Sequence, residues 1–236
     1  MHLTESTWTE AAAGDATAAL LPVGSTEQHG PHAPLGTDAL TAAAVADAAA
    51  EAYPEDLVVA PTLPVGISEE HRAFAGSLWL SPDTFRATVR ETVESLAHHG
   101  WERVVLVNGH GGNVAALREV AQRLTRDGVA DVAAVTWFDA VDAPDMGHGG
   151  PVETSLLLCT HPDLIREGQL AEAGEGASPG WGEWVHHTNL AYDTDEFSEN
   201  GVVGDPREAS AERGEELLAG ATEALCAVLD AMAERD

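Results

Sequence analysis

Three short stretches of this sequence gather residues that bind metals or move protons. The first, Leu20 to Asp38 (LLPVGSTEQHGPHAPLGTD), carries Glu27, His29, His32 and Asp38 in a loop with three prolines and three glycines between Pro22 and Gly36. That loop is too polar for a core and too stiff in composition for a flexible linker. Glu27 and His29 are one residue apart, so in an extended segment both side chains leave the same side of the backbone. Carboxylate, imidazole and a second carboxylate form a ligand set that suits zinc, manganese or ferrous iron. Taken alone, the stretch also reads as a surface loop of turn formers whose acids and histidines are merely solvated.

The second stretch is Asn108-Gly109-His110-Gly111-Gly112-Asn113. Its glycines permit unusual dihedrals and leave His110 as the one large side chain of the turn. A phosphate-cradling loop is the competing reading, but the stretch lacks both the P-loop lysine and the GxGxxG spacing. The third stretch, Gly147 to Ser155 (GHGGPVETS), holds His148 between glycines and Glu153 in the first turn of an expected helix. A lone carboxylate there would suit the helix N-terminus for electrostatic reasons, whereas the histidine has no such account.

Elements must bring these stretches together. Ala19 to Val23 reads as a buried strand stopped by Gly24, and a helix runs from Thr37-Asp38, as its cap, to about Ala52. Leu57 to Ala60 is a second strand, and Ser81-Pro82-Asp83 starts a helix that reaches about His99. Arg103 to Val107 is the most β-branched strand. After it come a helix ending near Asp127-Gly128, a strand from Asp131 to Phe138, and a helix from Pro151 to about Thr160. The first eighteen residues are small and polar and lead into the first strand; residues 171–204 show no clear period and read as a long loop or lid; Pro206 to Glu234 reads as one long amphipathic helix. The β-α-β-α-β-α-β order predicts a three-layer α/β/α fold with a mainly parallel sheet, in one domain spanning residues 1–236. Ligands of such sheets bind beyond the carboxyl ends of the strands, which puts Glu27, His29, Asp38 and His110 on one rim.

Composition excludes several classes of partner. The formal net charge is −29, with forty acidic residues against eleven basic ones, all of them arginine. That charge repels nucleic acid and anionic membranes. With 44% apolar residues, the acids coat a folded chain rather than a disordered one, which fits a halophilic source. No run approaches the roughly 18 apolar residues of a membrane span. The start of the chain has no basic n-region, and Cys159 and Cys226 sit far apart in apolar contexts; both point to the cytoplasm.

GSTEQHGPHAPLGTD, VNGHGGN and HGGPVETS, in this order, resemble the creatininase (creatinine amidohydrolase) family; EEHRAFAGSLWL and ENGVVGDPREASAERG resemble it too. The resemblance implies a hydrolase of C–N amide bonds with two divalent metal ions. Glu27, Asp38 and His110 would hold one ion, and His29, Asp38 and Glu153 the other, with Asp38 bridging; His148 would transfer the proton. A metal-activated water would attack a small or cyclic amide, or a short peptide end. A hexameric homo-oligomer is implied as well. In creatininase proper the residue two after the ligand histidine is a glutamate, where this chain has Gly112, which puts creatinine in doubt. Branches with the plain HGGN form include the peptidase of the mycofactocin precursor, nearer in the EHRAFAG and GVVGDP segments, and a formamide deformylase of riboflavin and deazaflavin synthesis. A non-catalytic metal-binding scaffold would be expected to lack the proton donor, which is present as His148.

His32, His71 and Trp181 are further candidates to line the substrate pocket, as are Glu69 and Glu70. Each also reads as a supporting or surface group. The aromatic residues of 171–204 suit either a cover over the substrate or a subunit interface.

Overall fold

The computed structural model describes residues 1–235. Its central sheet has four parallel strands in the order β2 (Leu57–Val59), β1 (Ala18–Val23), β3 (Arg103–Asn108), β4 (Asp131–Thr136). Every residue of β1 is buried, and its side chains alternate between two cores. Ala19, Leu21 and Val23, with Val104 and Leu106 of β3, pack against Phe85, Val89 and Val93 of α3 (Pro82–His98) and Leu117 of α4 (Val114–Arg126). Ala18 and Leu20, with Val105 and Val107, face Val45 of α2 (Thr37–Ala52), Leu156 of α5 (Pro151–Thr160) and Leu225 of α7 (Ala211–Ala233). An all-parallel sheet covered on both faces needs such continuous apolar strands, so the expected α/β/α layering stands. No helix among the described residues is long and apolar enough to cross a membrane.

Local chemistry moves some expected boundaries. The first eighteen residues contain a helix, α1 (Trp8–Ala13), started by a reciprocal capping box between Thr7 and Glu10. β3 runs one residue further, to Asn108, and β4 stops at Thr136, where the buried Trp137 begins a 3₁₀ turn through Asp139. Pro206–Glu208 is a separate turn, and α7 starts after its own Ser210 cap. Residues 171–204 are not wholly irregular. They hold most of α6 (Leu170–Glu175) and a two-stranded hairpin, β5 (Trp184–Val185) and β6 (Thr188–Asn189). Its two turn residues, His186 and His187, both have positive φ, the conformation of a tight hairpin turn.

Thr37 and Asp38 do not cap α2. The cap position is Gly36, Thr37 donates its hydroxyl to Pro34 O, and Asp38 lies in the first turn with its side chain free for other use. Glu153 also lies in the first turn of its helix, α5, where it accepts the Gly149 N–H at 2.6 Å.

Candidate active site

The loops that leave β1 and β3, the first turn of α2 and the start of α5 meet beyond the carboxyl ends of the strands. Two glycines make the meeting possible. A Cβ at Gly24 would lie 2.3 Å from Ala39 N, and one at Gly109 would lie 2.1 Å from Asp38 O. Only bare backbone at the ends of β1 and β3 lets the first turn of α2 settle between them and deliver Asp38. Two asparagines fix the β3 turn. Asn108 accepts the His110 N–H at 3.1 Å and donates to His110 O at 2.8 Å. Asn113 donates to Gly24 O and accepts the Ile67 N–H, tying the β1 loop to the segment before α3.

Glu27, His29, Asp38, His110, His148 and Glu153 are all buried. His29 Nε2 lies 3.0 Å from Asp38 Oδ1 and 3.7 Å from Glu153 Oε2. His110 Nδ1 lies 3.2 Å from Glu27 Oε1 and 3.3 Å from Asp38 Oδ2. Asp38 therefore touches one histidine with each of its oxygens. His148 Nδ1 is 3.7 Å from Glu27 Oε1, and its ring packs 4.1 Å from that of His29.

Burial alone would suppress every charge here, and neighbouring charges decide the outcome. Burial raises the pKa of Glu27, against the opposing pull of His110. Burial would also raise Asp38, but the charge of His29 and the close approach of the His110 and His29 rings carry it below the usual carboxylate range. His29 and His110 resist burial because Asp38 and Glu153 raise the first, and Glu27 and Asp38 the second. His148 is lowered to about 4 by burial and by the charge of His29.

Both oxygens of Glu27, Oδ2 of Asp38 and Nε2 of His29 are buried without a hydrogen-bond partner. So dense a set of unsatisfied donor atoms would be costly to fold for its own sake. A divalent cation would satisfy them. Glu27, Asp38 and His110 bring ligand atoms within 4.8 Å of one another, as do His29, His148 and Glu153. The residues present thus fit metal ions.

A pocket of about 390 Å³ opens on this cluster, lined by His110, His148 and Glu153 together with Glu70, Phe138, Met146 and Trp181. Trp181 packs edge-on against His71 and His148 at 5.9 and 6.0 Å, so part of the 171–204 segment covers the site. The hairpin beyond it leaves Trp184 and Val185 exposed. His71 also borders the pocket, although its side chain is fully buried. His32 does not line it. It faces Thr154 Oγ1 at 2.9 Å, in the packing between the first loop and α5, and burial holds its pKa down at about 4. Phe138 and Met146 escape sequence reasoning because nothing in their spacing marks the loop after β4. Gln28 escapes it too, although its place between Glu27 and His29 was a signal.

Comparison with known proteins shows the family. The creatininase (creatinine amidohydrolase) family profile matches residues 4–229. The mycofactocin precursor peptide peptidase of Mycolicibacterium smegmatis is 37% identical over 205 residues, 85% of this chain and 79% of that protein. The creatinine amidohydrolase of Pseudomonas putida is 30% identical over 243 residues, covering 91% of this chain and 90% of that protein. A mutant creatininase complexed with creatine superposes with a TM-score of 0.81 at 29% identity, over 99% of this chain and 98% of that one. Related creatininase structures include a manganese form and a Zn–Zn form. The chain belongs to the creatininase family of amidohydrolases, enzymes that act on C–N bonds.

Proposed function

We propose that this enzyme hydrolyses an amide C–N bond at the end of a short peptide with two divalent ions, zinc, manganese or iron, held by Glu27, Asp38 and His110 and by His29, Asp38 and Glu153. One observation carries the reading: each oxygen of Asp38 faces a different histidine, as a carboxylate shared between two ions must. When bound, such ions make water a nucleophile near neutral pH and stabilise charge on the attacked carbonyl oxygen.

The chain's own residues supply the rest. His148 donates Nε2–H to Gln28 O at 2.5 Å, which leaves Nδ1 as the nitrogen that faces the site. Neutral at rest, it takes the proton of the attacking water on Nδ1 and returns it to the departing nitrogen. Trp181, Phe138 and Met146 give the pocket an apolar wall that limits water. A peptide end is favoured over creatinine because Gly112 offers no carboxylate, and because the similarity to the precursor peptidase is the higher of the two.

Elemental analysis of protein loaded with zinc or manganese should find about two ions per chain. Chelation or Asp38→Ala should abolish hydrolysis while circular dichroism stays unchanged. Release of formate from formamides, with no cleavage of peptides, would shift the assignment to deformylation. Full activity after exhaustive chelation would refute it.

A further inference from the structure

The four histidines around Glu27 divide by what holds the nitrogen remote from the carboxylates. His29 Nδ1 faces Glu27 O at 3.2 Å, His110 Nε2 faces Ile67 O at 2.6 Å, and His148 Nε2 faces Gln28 O at 2.5 Å. A carbonyl oxygen can only accept, so in each ring that nitrogen carries the hydrogen. The opposite nitrogen is then the one turned towards the carboxylates, where it can give up its proton to serve as a ligand or a proton acceptor.

His71 is held the other way. Its Nδ1 lies 2.9 Å from Gln28 Nε2 and 3.1 Å from Thr194 Oγ1. The orientation of the Gln28 amide follows from its other bonds: Oε1 accepts the Gly30 N–H at 2.9 Å, and Nε2 donates to Gly201 O at 2.9 Å. The amide nitrogen has a second hydrogen to give, and His71 Nδ1 receives it. In a neutral ring the hydrogen must then sit on Nε2, which is buried, lacks any hydrogen-bond partner and points at Glu27 Oε1 from 3.3 Å.

Glu27, His71 and His148 bring ligand atoms within 4.8 Å of one another, a third grouping that could pass for a metal site. We infer that His71 is not a ligand but a positioning residue, a neutral Nε2–H donor fixed by Gln28 that holds the Glu27 carboxylate in place. A nitrogen that carries hydrogen has no lone pair for a metal. What it offers instead is a donor to the one ligand whose two oxygens have no other partner. The stacking of His71 on His148, with ring centroids 4.3 Å apart, keeps the donor beside the proton-transferring ring without competing for its proton. The purpose given to the contact rests on the two-metal reading; the position of the hydrogen does not.

The test is long-range ¹H–¹⁵N correlation on the ¹⁵N-histidine-labelled full chain, metal-free and zinc-loaded, with His71 assigned by its absence from the His71→Gln spectrum. The expected result is a pyrrole-type Nε2 and a pyridine-type Nδ1 for His71 in both states, while His29 and His110 shift with zinc. A pyridine-type Nε2 on His71 that moves when zinc binds would overturn the inference. If no histidine responds to zinc, the two-metal reading fails, and the His71 pattern still decides this one. In parallel, His71→Ala should keep the zinc stoichiometry but bind it about 10- to 100-fold more weakly, as removal of a group supporting a ligand does. His71→Gln, which retains a donor, should recover part of that loss. A variant that loses one zinc outright would count against the positioning role.

Discussion

His110 Nδ1 stands 3.2 Å from Glu27 Oε1, joining the loop after β3 to the loop after β1 in a place where neither Glu27 oxygen has a hydrogen bond. On the proposed two-metal reading, the arrangement serves ligation at the expense of the metal-free fold. Glu27→Gln should therefore separate the two properties. Metal-free protein should be as stable as the parent or more so, by about 1 kcal/mol, because the cost of burying a carboxylate charge is gone. Ion binding at that position should be lost, and activity should fall by about 100-fold or more. Urea melts under chelation and elemental analysis measure the two effects.

Gly109 seats Asp38, since a Cβ there would lie 2.1 Å from Asp38 O. Gly109→Ala must push the first turn of α2 away from the strand end. It should cost about 2 kcal/mol of stability, in the range of overpacked interiors. It should also weaken metal binding, although residue 109 contributes no ligand. Denaturant unfolding and zinc titration check both.

Gly112 is where creatininase proper carries a carboxylate, and restoring one should fail in this chain. A Cβ at 112 would lie 2.2 Å from Ile67 O and 2.5 Å from His110 Nε2, with Glu70 Oε1 at 3.1 Å. Gly112→Glu should displace His110 and lower both stability and peptide hydrolysis. Gain of creatinine hydrolysis at parental stability would show that the loop yields more readily than the contacts imply.

His32 predicts the acid limb of stability. Burial, with the nearby charge of His29, holds its pKa at about 4 in the folded chain, below its ordinary value. The unfolded chain thus binds the proton first. The stability conferred by the neutral ring is present above about pH 6.5 and is lost as pH falls through about 4, towards ~3 kcal/mol when titration is complete. His32→Phe should flatten that limb in chelated protein, as followed by thermal melts from pH 7 to pH 4. An unchanged slope would mean that His32 is solvated in the fold.

Much of the candidate site was legible because its residues are of ligand type and stand beside strand ends. Glu27, His29, Asp38, His110, Glu153 and His148 lie in three motifs, and the parallel topology forces those motifs onto one rim. The capping role expected of Asp38 was wrong for an instructive reason. A helix-capping residue and a carboxylate turned into a cluster of histidines share the same short polar chemistry, and only the neighbours, here His29 and His110, separate the two. His32, three residues after His29, faces the packing behind the site because the loop turns at Gly30, which has positive φ.

The order of apolar runs and the identity of the ligand-type residues were set by the sequence alone, since both follow from local periodicity and side-chain chemistry. Tertiary structure decided which nitrogen of each ring carries its hydrogen and which glycine admits Asp38. It also decided which part of residues 171–204 covers the pocket. These depend on partners distant in the chain, Ile67 for His110 and Gln28 and Thr194 for His71. No spacing of letters encodes the direction from which a donor arrives.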